Sequence, residues 1–408
     1  MALSLSKEKI RFLLLEGVHP DADKHLRAAG YTNIQRIDQA VEASALAEQI
    51  GDVHFLGIRS RTQLTQATLA MAHKLTGIGC FCIGTDQVDL AAASQLGVPV
   101  FNAPYANTRS VAELVLAEII MLMRGIPEKN ASAHQGRWLK TAHRSHEVRG
   151  KSLGIVGYGH IGTQLGILAE GLGMQVHYHD IVSKLPLGNA QPHPSLDELL
   201  RQCDVVSLHV PDTPETEHLI DRDKLLRMRP GAHLVNASRG RVVDLDALRS
   251  VLMEGHLASA AIDVFPREPT STDDVFESPL RGLSNVLLTP HIGGSTQEAQ
   301  ENIARDVTEK LIRYSDNGST MGAVNFPEVA LPDHAGTQRI MHIHRNEPGV
   351  LQAINTAITD QSINIAAQYL QTQGETGYVV MDVETQDAAG LLKALEAIPA
   401  TIKTRRLF

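Results

Sequence analysis

Short apolar runs alternate with helical segments from the start of the chain. KIRFLLLEGV (9–18) reads as a strand, and PDADKHLRAAG after it as a helix closed by Gly30. The same rhythm repeats in VHFLGI (53–58) and LTQATLAMAHK, in LTGIGCF and DLAAASQLG, and then in VPVFNAP. Continuous apolar strands separated by helices predict a parallel sheet covered on both faces. A long helix is expected from about Ser110 to Gly125. Ser110 and Glu113 have capping-box spacing, and Gly125 is placed as a C′ residue. A polar stretch rich in His and Arg follows, from Glu128 to Gly150. A second α/β block then runs from KSLGIVGYGHIG to LLTPHIGG. Another long helix is expected from near Ser295, where Ser295 and Glu298 repeat the capping-box spacing. Ile303, Val307 and Leu311 form its apolar stripe.

The two long helices read as crossovers into and out of an inserted domain. The stretch 315–336, rich in Gly and Pro, reads as a linker. The tail gives strand (TQRIMHIH), helix (GVLQAINTAITDQ), two strands (INIAAQYLQT and YVVMDVE around GETG), helix (DAAGLLKALEAI) and strand (ATIKTRRLF). That βαββαβ order is ferredoxin-like. The expected architecture is α/β. A Rossmann-type nucleotide domain (108–294) is inserted in a flavodoxin-like substrate domain (1–107 and 295–332), with a ferredoxin-like domain over 333–408.

Composition narrows the class. In 408 residues, 43% are hydrophobic and 20% charged, which excludes a disordered chain. Asp plus Glu outnumber Lys plus Arg by 46 to 37, a formal charge of −9. Such a chain lacks the field that nucleic acid or an anionic membrane favours, so an anionic ligand needs a local cluster of cations. Three cysteines do not build a disulfide framework, which points to a reducing, cytoplasmic setting. The most apolar helix carries Glu113 and Glu118, which argues against a membrane span.

Candidate chemistry begins at LGIVGYGHIG. Gly157, Tyr158, Gly159, His160, Ile161 and Gly162 form a GxGxxG turn between a strand and a helix. One glycine permits the tight turn, one lets backbone approach a pyrophosphate, and one packs the helix on the strand. The helix N-terminus adds free N–H groups and a positive dipole end. A second strand, MQVHYH, ends at Asp180, 23 residues past the first glycine, where a ribose-binding carboxylate is expected. Asp180 would repel a 2′-phosphate, so NAD is favoured over NADP.

Downstream, LVNASRG leads to Arg239, AAIDVFPREP to Asp263 and Glu268, and LLTPHIGG to His291. In an open parallel sheet, strand ends of this kind surround the ligand. Oxidising an alcohol requires a base, histidine serves near neutral pH, and a carboxylate raises its pKa and fixes its tautomer. An arginine binds a carboxylate in bidentate fashion.

These segments resemble the D-isomer-specific 2-hydroxyacid dehydrogenases over nearly the whole chain. GIRSRT, IGCFCIGT, FNAPYANTRSVAEL, GYGHIGTQLG and NFPEV are similar to the short bacterial branch that acts on 3-phosphoglycerate and carries one ACT domain. The resemblance implies His291 as general acid/base, Glu268 as its partner, and Arg239 on the substrate carboxylate and C2 oxygen. It implies Asp263 on the nicotinamide side of the cofactor. Arg59 and Arg61, after VHFLGI, would take the substrate phosphate, lying on one side if the chain stays extended. Lys140, in GRWLK, would reach over from a neighbouring subunit, and Trp138 would make a subunit contact.

The tail segment MHIHRNEPGVL resembles the start of an ACT domain. His344 and Asn346 would bind an effector, with Asn364 reaching it from a paired ACT domain. The implied effector is L-serine, and the implied assembly a homotetramer. A hinge often written Gly-Gly reads here as Ala335-Gly336. Cys80-x-Cys82, His177-x-His179 and His342-x-His344 lack further ligands, so no metal site is expected. Two alternatives stay open: a dehydrogenase of another D-2-hydroxy acid, such as 2-hydroxyglutarate or glyoxylate/hydroxypyruvate, and an NAD-sensing interaction protein.

Overall fold

The computed structural model describes residues 5–269, 274–332, 337–385 and 388–407; the Ala335-Gly336 hinge lies outside the described residues. Two compact units divide the chain, one from Met1–Ala106 with Gln300–Phe408 and one from Asn107–Ala299.

The first unit holds β1 (Phe12–Leu14), β2 (Ile34–Arg36), β3 (Phe55–Ile58), β4 (Gly77–Cys80) and β5 (Val100–Phe101) in one sheet. Its order, β2-β1-β3-β4-β5, is the flavodoxin-like one, with every pairing parallel. β1, β3 and β4 are buried throughout, as continuous apolar runs require. The helix Gln297–Asn317 lays Ile303, Val307 and Leu311 into a core with Phe12, Phe55 and Phe101. Each such side chain contributes roughly 1.5–3 kcal/mol by leaving water.

The second unit holds β6 (Ser152–Val156), β7 (Gln175–His179), β8 (Gln191–Pro192), β9 (Val205–Leu208), β10 (His233–Asn236), β11 (Ser259–Ile262) and β12 (Val286–Leu288). The order β12-β11-β10-β9-β6-β7-β8 is doubly wound, with all pairings parallel. Winding reverses between β6 and β9, where ligands of such sheets sit.

The tail forms β13 (Gln338–Arg345), β14 (Asn364–Gln373), β15 (Thr376–Glu384) and β16 (Thr401–Arg406). This antiparallel sheet has the order β14-β15-β13-β16, the ferredoxin-like arrangement expected. One face packs the helices Val350–Thr359 and Ala388–Glu396. The other places Met341, Ile343, Tyr378 and Val380 in the same core as the first sheet. Arg339 is fully buried there. It grips Asp382 through Nε and Nη2, at 2.6 and 2.7 Å, and donates to the Pro332 carbonyl at 2.7 Å.

Several local expectations change. The first long helix spans Thr108–Met123 with Asn107 at its N-cap, and the capping box does not form. Ser110 Oγ lies 2.6 Å from Thr296 Oγ instead, and Glu113 pairs with Arg109. The later helix begins one turn-position further on, because Thr296, not Ser295, accepts from the Ala299 N–H. The polar stretch after Gly125 contains a helix, Ile126–His134. The Gly- and Pro-rich segment is packed up to Pro332 rather than loose: Thr320 and Phe326 are wholly buried. Among the described residues, no helix is long and apolar enough to cross a membrane.

Candidate active site

The glycine-rich turn joins β6 to the helix His160–Gly171. Gly157 has φ +90°, a conformation that L side chains rarely adopt, and a Cβ there would stand 2.4 Å from the His209 carbonyl oxygen. A Cβ on Gly162 would stand 2.3 Å from the Gly157 oxygen, so this glycine lets the helix close onto the strand. At Gly159 the space is open, and the helix has no side-chain cap. These three environments match the three requirements of a pyrophosphate cradle, so the residues fit a dinucleotide.

Asp180 follows β7. Its carboxylate accepts from the Tyr158 N–H at 2.8 Å and the Val182 N–H at 2.9 Å, which ties the strand end to the turn. His160 is exposed and Ile161 half-buried. Tyr158 offers the turn only its backbone, for its ring is buried and stacks on Tyr178 at 4.0 Å.

The second cluster is a small cavity of about 140 Å³ lined by Arg239, Phe265, Glu268 and His291, with the Asp212–Arg241 ion pair at its side. Arg239 and Glu268 leave β10 and β11 by short turns, and His291 follows β12. Glu268 Oε2 lies 2.8 Å from His291 Nδ1, and Glu268 Oε1 accepts from the Phe265 N–H at 3.1 Å. The bond to Glu268 is the main reason His291 titrates above the ordinary histidine value. For Glu268 burial pulls upward. The His291 bond, the Phe265 N–H and the Arg239 charge outweigh it and hold the carboxyl below its usual range.

Asp263 is buried and faces away from solvent. It accepts from Thr289 Oγ at 2.7 Å and from the N–H groups of Ile292 and Gly293, at 2.8 and 2.9 Å. It therefore fixes the turn that presents His291, whose φ is +53° although it is not glycine. Gly240 permits the close passage of the Arg239 turn, since a Cβ there would stand 2.0 Å from the Phe265 carbonyl carbon. The sequence offered the glycine in SRG, but only the fold shows what it touches.

The other expected positions lie elsewhere. Arg59 and Arg61 follow β3, but the chain bends at 60–62 and does not stay extended. Buried Glu16 shapes this bend by accepting from the N–H groups of Arg61 and Thr62, at 3.0 and 2.8 Å. Sequence reasoning passed over Glu16. Lys140 and Trp138 are exposed on a surface loop of the second unit.

In the tail, His344 is buried beside His342, their Nδ1 atoms 3.3 Å apart. Asn346 is exposed and donates to the Gly374 carbonyl at 3.1 Å. Asn364 is exposed and donates to Glu384 at 2.9 Å. His344 pairs across the ladder with Gly377 and Asn364 with Glu384, so a single chain holds them at opposite ends of β15.

Comparison with known proteins gives the family. A family model described as the D-isomer specific 2-hydroxyacid dehydrogenase NAD binding domain matches residues 116–293. A second, described as an AHAS small subunit-like ACT domain, matches residues 340–403. D-3-phosphoglycerate dehydrogenase of Haemophilus influenzae is 58% identical over 406 residues, covering 100% of this chain and 99% of that protein. The enzyme of the same name from Escherichia coli K12 is 59% identical over 408 residues, with coverage of 100% and 99%. The crystal structure of D-lactate dehydrogenase from Aquifex aeolicus, complexed with NAD and lactic acid, superposes with a TM-score of 0.69 at 25% identity. It covers 78% of this chain and 100% of that one.

Proposed function

The chain belongs to the D-3-phosphoglycerate dehydrogenase branch of the D-isomer-specific 2-hydroxyacid dehydrogenase family, and from that premise we propose that it oxidises 3-phosphoglycerate to 3-phosphohydroxypyruvate with NAD. The observation that carries this reading is the 2.8 Å His291–Glu268 pair in one cavity with Arg239.

Gly157, Gly159, Gly162 and the following helix would hold the pyrophosphate of NAD, and Asp180 its ribose; the cofactor would supply the hydride acceptor for C2. Glu268 occupies Nδ1 of His291, which leaves Nε2 to take the C2 hydroxyl proton as the alcohol becomes a ketone. The same nitrogen returns the proton in the reverse direction, held ready by its raised pKa. Arg239 would pair with the substrate carboxylate and polarise the C2 oxygen. Asp263 would present the His291 turn on the nicotinamide side. Arg59 and Arg61 would bind the phosphate, with Lys140 supplied by a neighbouring subunit of a homotetramer in the cytoplasm. Oxidation releases a proton, so higher pH favours it.

We assign the tail the sensing of L-serine, end product of the route this step opens. His344, Asn346 and a partner's copy of position 364 would hold it at the N-terminus of the helix Val350–Thr359, which lacks a side-chain cap.

The test is NADH consumption with 3-phosphohydroxypyruvate and with unphosphorylated hydroxypyruvate, each with and without L-serine. The expected result is strong preference for the phosphorylated substrate and suppression by serine. Preference for the unphosphorylated acid would favour another D-2-hydroxy acid. Cofactor binding without turnover would overturn the enzymatic reading.

A further inference from the structure

The helix Thr108–Met123 turns Val111, Val115, Ile119 and Leu122 into the second unit, and Glu118 goes in with them. Only 1% of Glu118 is exposed. Leu165 and Ala169 from one neighbouring helix, with Val235 and Ala261 from β10 and β11, belong to the apolar cluster on this side of the sheet. The charged group acting on Glu118 is Asp263, itself a carboxylate. The polar side chain within reach is Thr289, whose Oγ lies 3.4 Å from Glu118 Oε1. Thr289 has one proton, and it donates to Asp263 Oδ1 at 2.7 Å. Glu118 Oε2 is buried with no hydrogen-bond partner among the described residues.

Two carboxylates that share one hydroxyl in a dry site carry charge together only at a cost, so one of them holds its proton to higher pH. Asp263 is the better matched of the two, with three donors. The proton therefore belongs on Glu118, which can give it to Thr289 Oγ. We propose that Glu118 is a positioning residue for the reaction: as a neutral acid it completes the relay Glu118–Thr289–Asp263, and Asp263 holds the turn that presents His291. The inference rests on the proposed role of His291 as acid/base. Burial, reinforced by the Asp263 charge, pushes the Glu118 carboxyl up to about 8. Above that pH two negative charges face each other behind the His291 turn. Displacing that turn by a fraction of an ångström costs about tenfold in rate, since a shift of about 1 Å can cost ~10²-fold.

The test uses the full-length enzyme and follows 3-phosphoglycerate oxidation against pH for wild type and Glu118→Gln. Wild type should fall about tenfold with a midpoint near 8 on the alkaline side. Glutamine keeps the volume, donates an N–H to Thr289 and does not ionise. The alkaline fall should vanish, and the ratio of rates at about pH 9.5 to about pH 7 should rise about tenfold over wild type. The same alkaline fall in Glu118→Gln overturns the proposal. Infrared titration of wild type is the second measurement, independent of turnover. It should show the C=O stretch of a neutral carboxylic acid, lost with a midpoint near 8, and absence of that band at neutral pH overturns the proposal. A wild type that shows the band but turns over neither substrate would refute the functional reading, not the protonation of Glu118.

Discussion

The cavity of the second unit and the tail sheet hold the side chains proposed for function in opposite ways. In the second unit, Arg239, Glu268 and His291 come from turns after three strands, and one chain assembles them within a cavity of about 140 Å³. In the tail, one chain places His344 and Asn364 at opposite ends of β15. A parallel sheet converges its strand ends on one edge, so one chain brings these three side chains together. An antiparallel sheet sends successive strand ends to opposite edges, so one chain keeps these two positions apart.

The largest expected effect tests the converged side. His291→Ala should lower the rate by ~10²–10⁴-fold, the range for loss of a general acid/base, as read by steady-state NADH consumption. A loss below tenfold would break the contrast. Next, Asp382→Ala strands buried Arg339 in the tail and should cost about 3–5 kcal/mol by urea unfolding. Replacing both partners with apolar residues should cost far less.

Acid should loosen the tail. His342 is buried, and burial holds its pKa down to about 4, below the ordinary 6.5. As pH falls, the unfolded chain takes up this proton first. The contribution is complete above about 6.5 and is lost progressively toward 4, at most about 3 kcal/mol. Urea midpoints for wild type and His342→Gln across that window should converge at low pH. A constant difference would contradict the assignment. A smaller effect is expected at the bend after β3, where phosphate binding is proposed. Arg59→Ala and Arg61→Ala should each cost about 1.5–3 kcal/mol in kcat/KM for the phosphorylated substrate and little for hydroxypyruvate.

Much of this was legible in the sequence. The glycine turn is readable because each glycine answers a backbone demand that no other residue meets. The strand order follows from apolar runs, and the tail from its βαββαβ rhythm. What failed was competition between side chains. Ser110 and Glu113 have the spacing of a capping box, yet each finds a better partner, at Thr296 and Arg109. The segment up to Pro332 has linker composition, but Phe326 buries itself in the core. The strand Ile34–Arg36 and the helix Ala43–Ile50 carry little sequence signal because both are short and the strand is only half-buried. Glu16 and Glu118 look like ordinary acids until the fold sets one under a bend and the other behind Asp263.

The most direct test of the account is the pH dependence of kcat/KM for 3-phosphoglycerate oxidation in wild type and Glu268→Gln. Glu268 holds His291 above 6.5, so the wild-type acid limb should lie above that value. Removing the carboxylate should move the limb to lower pH while the maximal rate falls. An acid limb at the same pH in both proteins would show that the His291–Glu268 pair does not carry the proton.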